Sequence, residues 1–205
     1  MQIARSAAAL FARQGLRATR AEDIAQAAGI APRTFYRYFA TKEEAVAPLY
    51  AAGAERWAQA VRLAPAELSV PEALEHAVRH TLSPGVGVSA SSWEWARTLI
   101  RLAVASPALG KVWAEVCHAS EGALAEVLGE RLGRGGVDNV AGPSAELRFA
   151  AAVAGAAVRV AVESWAVGEA RPEGPEGPAA LALRNLAVVR DFPWGEIAGS
   201  ARGGS

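Results

Sequence analysis

The stretch Ile24-Ala25-Gln26-Ala27-Ala28-Gly29-Ile30-Ala31-Pro32-Arg33-Thr34-Phe35-Tyr36-Arg37-Tyr38-Phe39 decides the fold. Two helices crossing over a tight turn need a small residue at the crossing, a turn residue that tolerates positive φ, and apolar side chains around both. Ala25 supplies the first and Gly29, four positions on, the second. Ile24, Ala28, Ile30 and Phe35 supply the apolar contacts. Pro32 suits the first turn of the second helix, where its missing N–H has no partner to lose. The residues from Ala31 to Tyr38 then project outward, and Arg33, Thr34, Tyr36 and Arg37 are donors suited to phosphate oxygens or base edges. A plain helical hairpin with a glycine turn would give the same spacing.

Working outward, Ile3, Ala7, Leu10 and Phe11 repeat at helical spacing until Gly15 stops the run. Thr19 is expected to cap the helix that carries Ala25, with Glu22 and Asp23 in its favourable first turn. Thr41-Lys42-Glu43-Glu44 has the form of a capping box opening a fourth helix that runs to about Leu63. Pro48 lies inside that span, so a kink is expected there. Further helices are expected over Pro71–Leu82, Ser91–Ala105, Pro107 to about Leu132, Ser144 to near Gly168, and from Pro178 to about Phe192. Gly133 to Pro143 reads as a glycine-rich loop, 171–178 as a linker, and the chain after Pro193 as a mobile end. No period-2 run of useful length occurs, so the expected fold is all-α, with about nine helices.

Alanine fills 49 of the 205 positions, which favours helix, and 52% hydrophobic residues are too many for intrinsic disorder. Twenty-one basic residues balance twenty-one acidic ones, which excludes a globally basic coat for nucleic acid. The balance is uneven along the chain. Residues 1–48 carry seven cations and four anions, giving +3 there and −3 on the remainder, a basic head on a mildly acidic body. The single cysteine, Cys117, excludes an internal disulfide and a four-cysteine zinc site. The apolar run near 149–158, followed by Arg159 and Glu163, reads as a buried helix and not a membrane span. The start lacks the pattern of a secretion signal, so a cytoplasmic protein is expected.

Phe11-Ala12-Arg13-Gln14-Gly15-Leu16, Thr19 to Ala25, Ala28-Gly29-Ile30-Ala31, Arg33 to Phe39 and Lys42-Glu43 together resemble the N-terminal domain of tetracycline-repressor (TetR) family regulators, over about 45 residues with the spacing intact. The resemblance implies an all-helical homodimer. Three small helices bind a double-stranded DNA operator, and a larger helical domain dimerises and binds a small-molecule inducer. It implies that Thr19 and Arg20 sit beside the DNA backbone. Arg33 and Thr34 then face the major groove, Tyr36 and Tyr38 reach phosphates, and Lys42 meets a phosphate. Arg33 to Phe39 is similar to a subgroup whose body domain is associated with acyl-CoA-like ligands. Three departures stand out. Ala31 cannot cap where the family usually has Ser or Thr, Tyr38 replaces a frequent His, and the first helix begins almost at Met1, where relatives carry a basic arm.

The expected division is a helix-turn-helix domain over 1–45, a ligand-binding and dimerisation domain over 46–192, and a tail over 193–205. The eighth and ninth helices are expected to pair across a two-fold axis. Ala150, Ala151, Ala152, Ala154, Gly155, Ala156 and Ala157 would allow close approach, although an internal core helix fits the same composition. All six tryptophans lie outside the head, and Trp93, Trp113 and Trp165 are candidates for a pocket wall. Cys117, Arg159 and Glu163 complete the candidate ligand set. The last two are one turn apart in an apolar helix and must pair with each other, a partner subunit or a ligand. Glu72, His76 and His80 could form a zinc face but suit a solvated one better. Cys117 and His118 point apart on a helix and make a poor nucleophile–base dyad. No enzyme activity, metal, cofactor or membrane partner is expected. The function expected is a ligand-responsive repressor on a palindromic operator. The alternative is a helical dimeric ligand-binding or interaction protein with a non-functional DNA head.

Overall fold

The structure, a computed structural model, describes residues 1–85, 90–133 and 142–194, residues 90–92 by backbone alone. Nine α-helices and a short 3-10 turn make up its regular structure, and no strand occurs among the described residues. The helices are α1 (Gln2–Gln14), α2 (Ala21–Ala27), α3 (Pro32–Tyr38), α4 (Ala47–Leu63) and α5 (Val70–Leu82). They continue as α6 (Ala90–Ala105), α7 (Pro107–Arg131), α8 (Ala145–Val167) and α9 (Pro178–Val188). Most of the glycine-rich loop and of the C-terminal tail expected from sequence lies outside the described residues.

The turn between α2 and α3 closes as the sequence demands. The Ile30 N–H donates to the Ala25 carbonyl and the Gly29 N–H to that of Gln26, while Gly29 takes φ +68°. This pair of bonds ends a helix on a left-handed residue, which a β-carbon would disfavour. Phe11, Ile24 and Phe35 are fully buried around the crossing.

Two expected caps are corrected. Thr19 does not cap α2: its hydroxyl donates to the Gly15 carbonyl at 2.8 Å and accepts from the Gln14 amide at 3.3 Å. With 0% exposure, it locks the α1–α2 turn instead. The helix start is held by Asp23, whose carboxylate accepts from the Arg20 N–H at 2.8 Å. Near the fourth helix, Thr41 accepts from the Glu44 N–H at 3.3 Å, and the Glu44 carboxylate accepts from the Ala40 N–H at 2.9 Å. This box opens the 3-10 turn Glu44–Val46, and α4 starts only after it. Pro48 therefore sits in the first turn of α4, where no backbone bond is lost, and the expected kink is absent.

The body is a helical bundle in which α4 lies between α5 and α7, and α8 packs on α6, α7 and α9. By length and mean hydropathy α8 could cross a bilayer. Leu147, Ala150, Ala151, Ala154 and Ala161 bury it in the same apolar cluster as Leu74, Leu124, Leu128 and Leu186. The small residues that sequence assigned to a subunit contact thus mostly serve packing inside the chain, because they let α7 and α9 approach closely. The ninth helix ends earlier than expected. Val189, Arg190 and Phe192 make i→i−3 bonds, and Pro193 cannot continue a helix. Trp194 then folds back, buried, with its indole N–H on the Val189 carbonyl at 3.0 Å, so the mobile end does not begin at 193.

One side chain finishes α4. The Arg131 guanidinium donates to the carbonyls of Val61, Ala64, Pro65 and Leu68 at 2.8 to 3.3 Å, satisfying oxygens that the end of a helix leaves open. Arg131→Ala is expected to lower unfolding stability by about 2–4 kcal/mol in urea denaturation, since several charge-assisted bonds are lost together; a change under about 0.5 kcal/mol would contradict this role.

Candidate nucleic-acid interface and ligand groove

The head presents the outer face of α3. Arg33, Tyr36, Arg37 and Tyr38 are exposed and Thr34 is half-buried, while Phe35 on the opposite side is fully buried. Phe39 packs its ring 5.5 Å from that of Phe35, which fixes the roll of the short helix. The outward side chains hold one another. Arg37 lies 5.0 Å from the Tyr38 ring centroid and donates to its hydroxyl at 3.2 Å, and the Tyr36 hydroxyl donates to Glu22 at 3.4 Å. Arg20 at the start of α2 is exposed and pairs with Glu22 at 3.5 Å. The result is an exposed surface of guanidinium and phenol groups on a helix anchored by Phe35.

Two residues expected at this surface are engaged within the head. Thr19 is buried in the α1–α2 turn, as described. The Lys42 ammonium donates to the carbonyls of Leu16 and Thr19 at 2.7 and 2.8 Å, so two of its three donors tie the approach to α4 back to the α1–α2 turn. The sequence showed a cation at the right spacing. The open carbonyls that capture it become visible only once the turn is folded.

In the body, Trp113, Cys117, Arg159 and Glu163 come together. They line a groove of about 540 Å³ between α6, α7 and α8, completed by Ala103, Val104, Gly110, Ala114, His118 and Glu121. The Glu163 carboxylate accepts from the Trp113 indole N–H at 2.6 Å and pairs with Arg159 at 3.3 Å. The intrahelical ion pair open from sequence is therefore present, with a tryptophan added from α7. Burial pushes the Cys117 thiol up to about 11, with nearby Arg159 drawing it back and Glu163 and Glu121 adding to the rise.

Trp93 and Trp165 do not reach this groove. They form an edge-to-face pair with centroids 5.3 Å apart, in a separate buried cluster with Ile100, Val162 and Ala166. The Arg97 guanidinium lies 4.2 Å over the Trp165 ring, and the Trp165 indole N–H donates to the Ala170 carbonyl. Glu72 is held by Ser69, and His76 and His80 are exposed with parallel rings 6.4 Å apart. No group of three metal-ligating side chains occurs among the described residues.

Sequence reasoning missed how the two sites join. The head core containing Phe11, Ile24 and Phe35 continues without a break into Leu99 and Ala103 of α6 and Leu109 and Val112 of α7. Tyr50 of α4 lies at the seam. Its hydroxyl donates to the Leu99 carbonyl at 2.9 Å, and its ring stands 5.0 Å from that of Trp113, edge to face. The groove wall and the head therefore share one side chain, Trp113 reaching Tyr50. Only the register of α4 against α7 could have revealed this.

A three-helix head with a cationic recognition helix, packed on a helical body with its own groove, defines the class: a helix-turn-helix regulator. Residues 3–47 match the family of bacterial regulatory proteins described as the tetR family. The chain is 31% identical over 166 residues to the HTH-type transcriptional regulator TcmR of Streptomyces glaucescens, covering 80% of this chain and 71% of that one. A shorter stretch of 40 residues is 58% identical to the HTH-type transcriptional repressor KstR2 of Mycobacterium tuberculosis, a fifth of each chain. The fold is similar to that of Thermus thermophilus FadR, a TetR-family repressor solved with lauroyl-CoA. The TM-score is 0.56 at 21% identity, over 92% of this chain and 91% of that one. The chain belongs to the TetR family of transcriptional regulators. It is a DNA-binding regulator and not an enzyme.

The thiol chemistry of the groove is testable. With the Cys117 thiol raised to about 11, alkylation by iodoacetamide at pH 8 is expected to run slowly, because the reactive thiolate is scarce there. The expected deficit is about a hundredfold against a freely exposed thiol, and the rate should climb steeply above pH 10. An ordinary thiol rate at pH 8, read by mass spectrometry, would contradict the burial of this group.

Proposed function

We propose that the chain acts as a ligand-responsive repressor, binding a palindromic operator as a homodimer through Arg20, Arg33, Thr34, Tyr36, Arg37 and Tyr38. The observation that carries the reading is the outer face of α3, whose guanidinium and phenol groups are exposed while Phe35 anchors the helix from behind. Arg33 has the bidentate fork that suits a guanine edge, and Arg20, at the start of α2, suits a phosphate. Residues 1–45 form the DNA-binding unit and 46–192 the unit that senses the ligand and dimerises. Such a protein works where the chromosome lies, in the cytoplasm. A carrier with a disabled head is not favoured, since this face is intact.

A single head covers few base pairs, and two heads one helical turn apart select a palindrome. The surface that supports pairing is an apolar face left open on α8 and α9. Phe149, Val160 and Val167 recur at helical spacing on α8 and are exposed, and Val188 of α9 is 86% exposed. A second copy of the chain covers them in this reading, giving a four-helix contact.

The groove is the ligand site in this reading. An inducer acts only through a difference in affinity between two arrangements of the heads. The step from Glu163 to Trp113 to Tyr50 carries that difference to α4, in place of the kink expected at Pro48. The sequence resemblance suggests an acyl-CoA ligand, for which Arg159 is the available cation, and the Glu163 carboxylate paired with it weighs against that ligand.

Arg33→Ala is expected to weaken a duplex selected from a random pool about 10–100-fold while changing random DNA little, and Arg20→Ala to weaken both alike. Equal effects of the two changes in a salt-dependent retention assay would remove the assignment. Val160→Glu is expected to turn a dimer into a monomer in analytical ultracentrifugation and to reduce operator affinity with it. A dimer that survives the change would place the subunit contact elsewhere.

A further inference from the structure

The groove carries an uneven charge. Among the described residues its one guanidinium is Arg159, which is paired with Glu163 at 3.3 Å, and Glu163 is also held by the Trp113 indole N–H at 2.6 Å. A second carboxylate, Glu121 of α7, lines the same groove. It lies across Gly155 of α8, its Cγ 3.5 Å from where a β-carbon there would stand. Its side chain is 31% exposed, and its ion-pair partner is His118 at 3.6 Å, which is 89% exposed and supplies charge only when protonated. The rest of the wall includes Ala103, Val104, Gly110 and Ala114. An acid entering here reaches Arg159 only through the donors that Glu163 leaves free, and then sits beside both carboxylates. A base enters without displacing any buried cation, and its apolar part finds the small side chains and Trp113.

We propose that the groove takes a cationic amphiphile, an ammonium or amidinium group on an apolar body, with Glu121 as its counter-charge. This rests on the reading of the groove as the ligand site. The charge complement decides the class: two carboxylates face one guanidinium, and a half-buried carboxylate favours a cation in proportion to its desolvation.

The test uses isothermal titration of the full chain with three matched probes, 4-phenylbutylammonium, 4-phenylbutyrate and 4-phenylbutanol, and with lauroyl-CoA. The ammonium is expected to bind at least about tenfold more tightly than the carboxylate. Glu121→Gln is expected to weaken the ammonium about tenfold and leave the alcohol unchanged, which shows that the fold and the apolar wall persist. Ala114→Trp, which fills the groove, is expected to abolish binding of every probe. Tighter binding of phenylbutyrate or lauroyl-CoA, or no effect of Glu121→Gln, overturns the charge assignment while the groove stands as the site. Ammonium binding that survives Ala114→Trp, or no binding of any probe, overturns the groove reading and the proposal with it.

Discussion

The Tyr50 hydroxyl must find an acceptor inside the protein, and the arrangement of the two halves follows from where it finds one. A phenol removed from water without a partner costs several kcal/mol, so its bond to the Leu99 carbonyl is a firm constraint. Burial pushes its ionisation well above the ordinary range, which keeps it a neutral donor at any physiological pH. Because Tyr50 lies one turn into α4 and Leu99 near the middle of α6, this bond fixes the two helices in register. The same ring meets Trp113 edge to face, and Trp113 in turn holds Glu163. One polar requirement thus sets the seat of the head, a wall of the groove and the conformation of the carboxylate within it.

The head was legible in the sequence because its signals are local. Ala25, Gly29 and Pro32 act through backbone geometry within a few residues, and the exposed face of α3 follows from helical period alone. The ambiguous residues there are side chains with two uses. Thr19 can cap a helix or close a turn, and the carbonyl of Gly15, four residues back, won. Lys42 can meet a phosphate or a carbonyl, and the open oxygens of Leu16 and Thr19 lie within its reach. Pro48 reads as a kink only if the helix begins at Thr41, and the 3-10 turn moved that beginning to Ala47.

The body was legible as helices but not as surfaces. An alanine-rich helix can present its small residues to a neighbour in the same chain or to a second subunit, and composition is silent on which. In α8 most of the alanines turn inward and Phe149, Val160 and Val167 turn outward, a division set by where α7 and α9 already lie. The tryptophans divide for the same reason. Trp113 faces α8 through Glu163, whereas Trp93 and Trp165 fill one another's edges within a second core. Glu121 drew no notice in the sequence, since a glutamate on a helix is ordinarily solvated. Only the gap at Gly155 brings it over the neighbouring helix.

The four carbonyls gathered by Arg131 bear on how α4 can move. They bind the far end of that helix to α7, and the Arg62–Glu130 pair at 2.8 Å adds a second tether there. The opposite end joins the head. A rod of 17 residues is about 25 Å long, so with one end fixed it behaves as a pointer on a pivot. A swing of about 5° would carry its head end, where Tyr50 holds α6, roughly 2 Å, a step comparable to the helix shifts by which packed proteins switch. In the proposed response to ligand, fastening one extremity would turn a small push beside Trp113 into directed travel at the other, instead of a sliding of the whole rod.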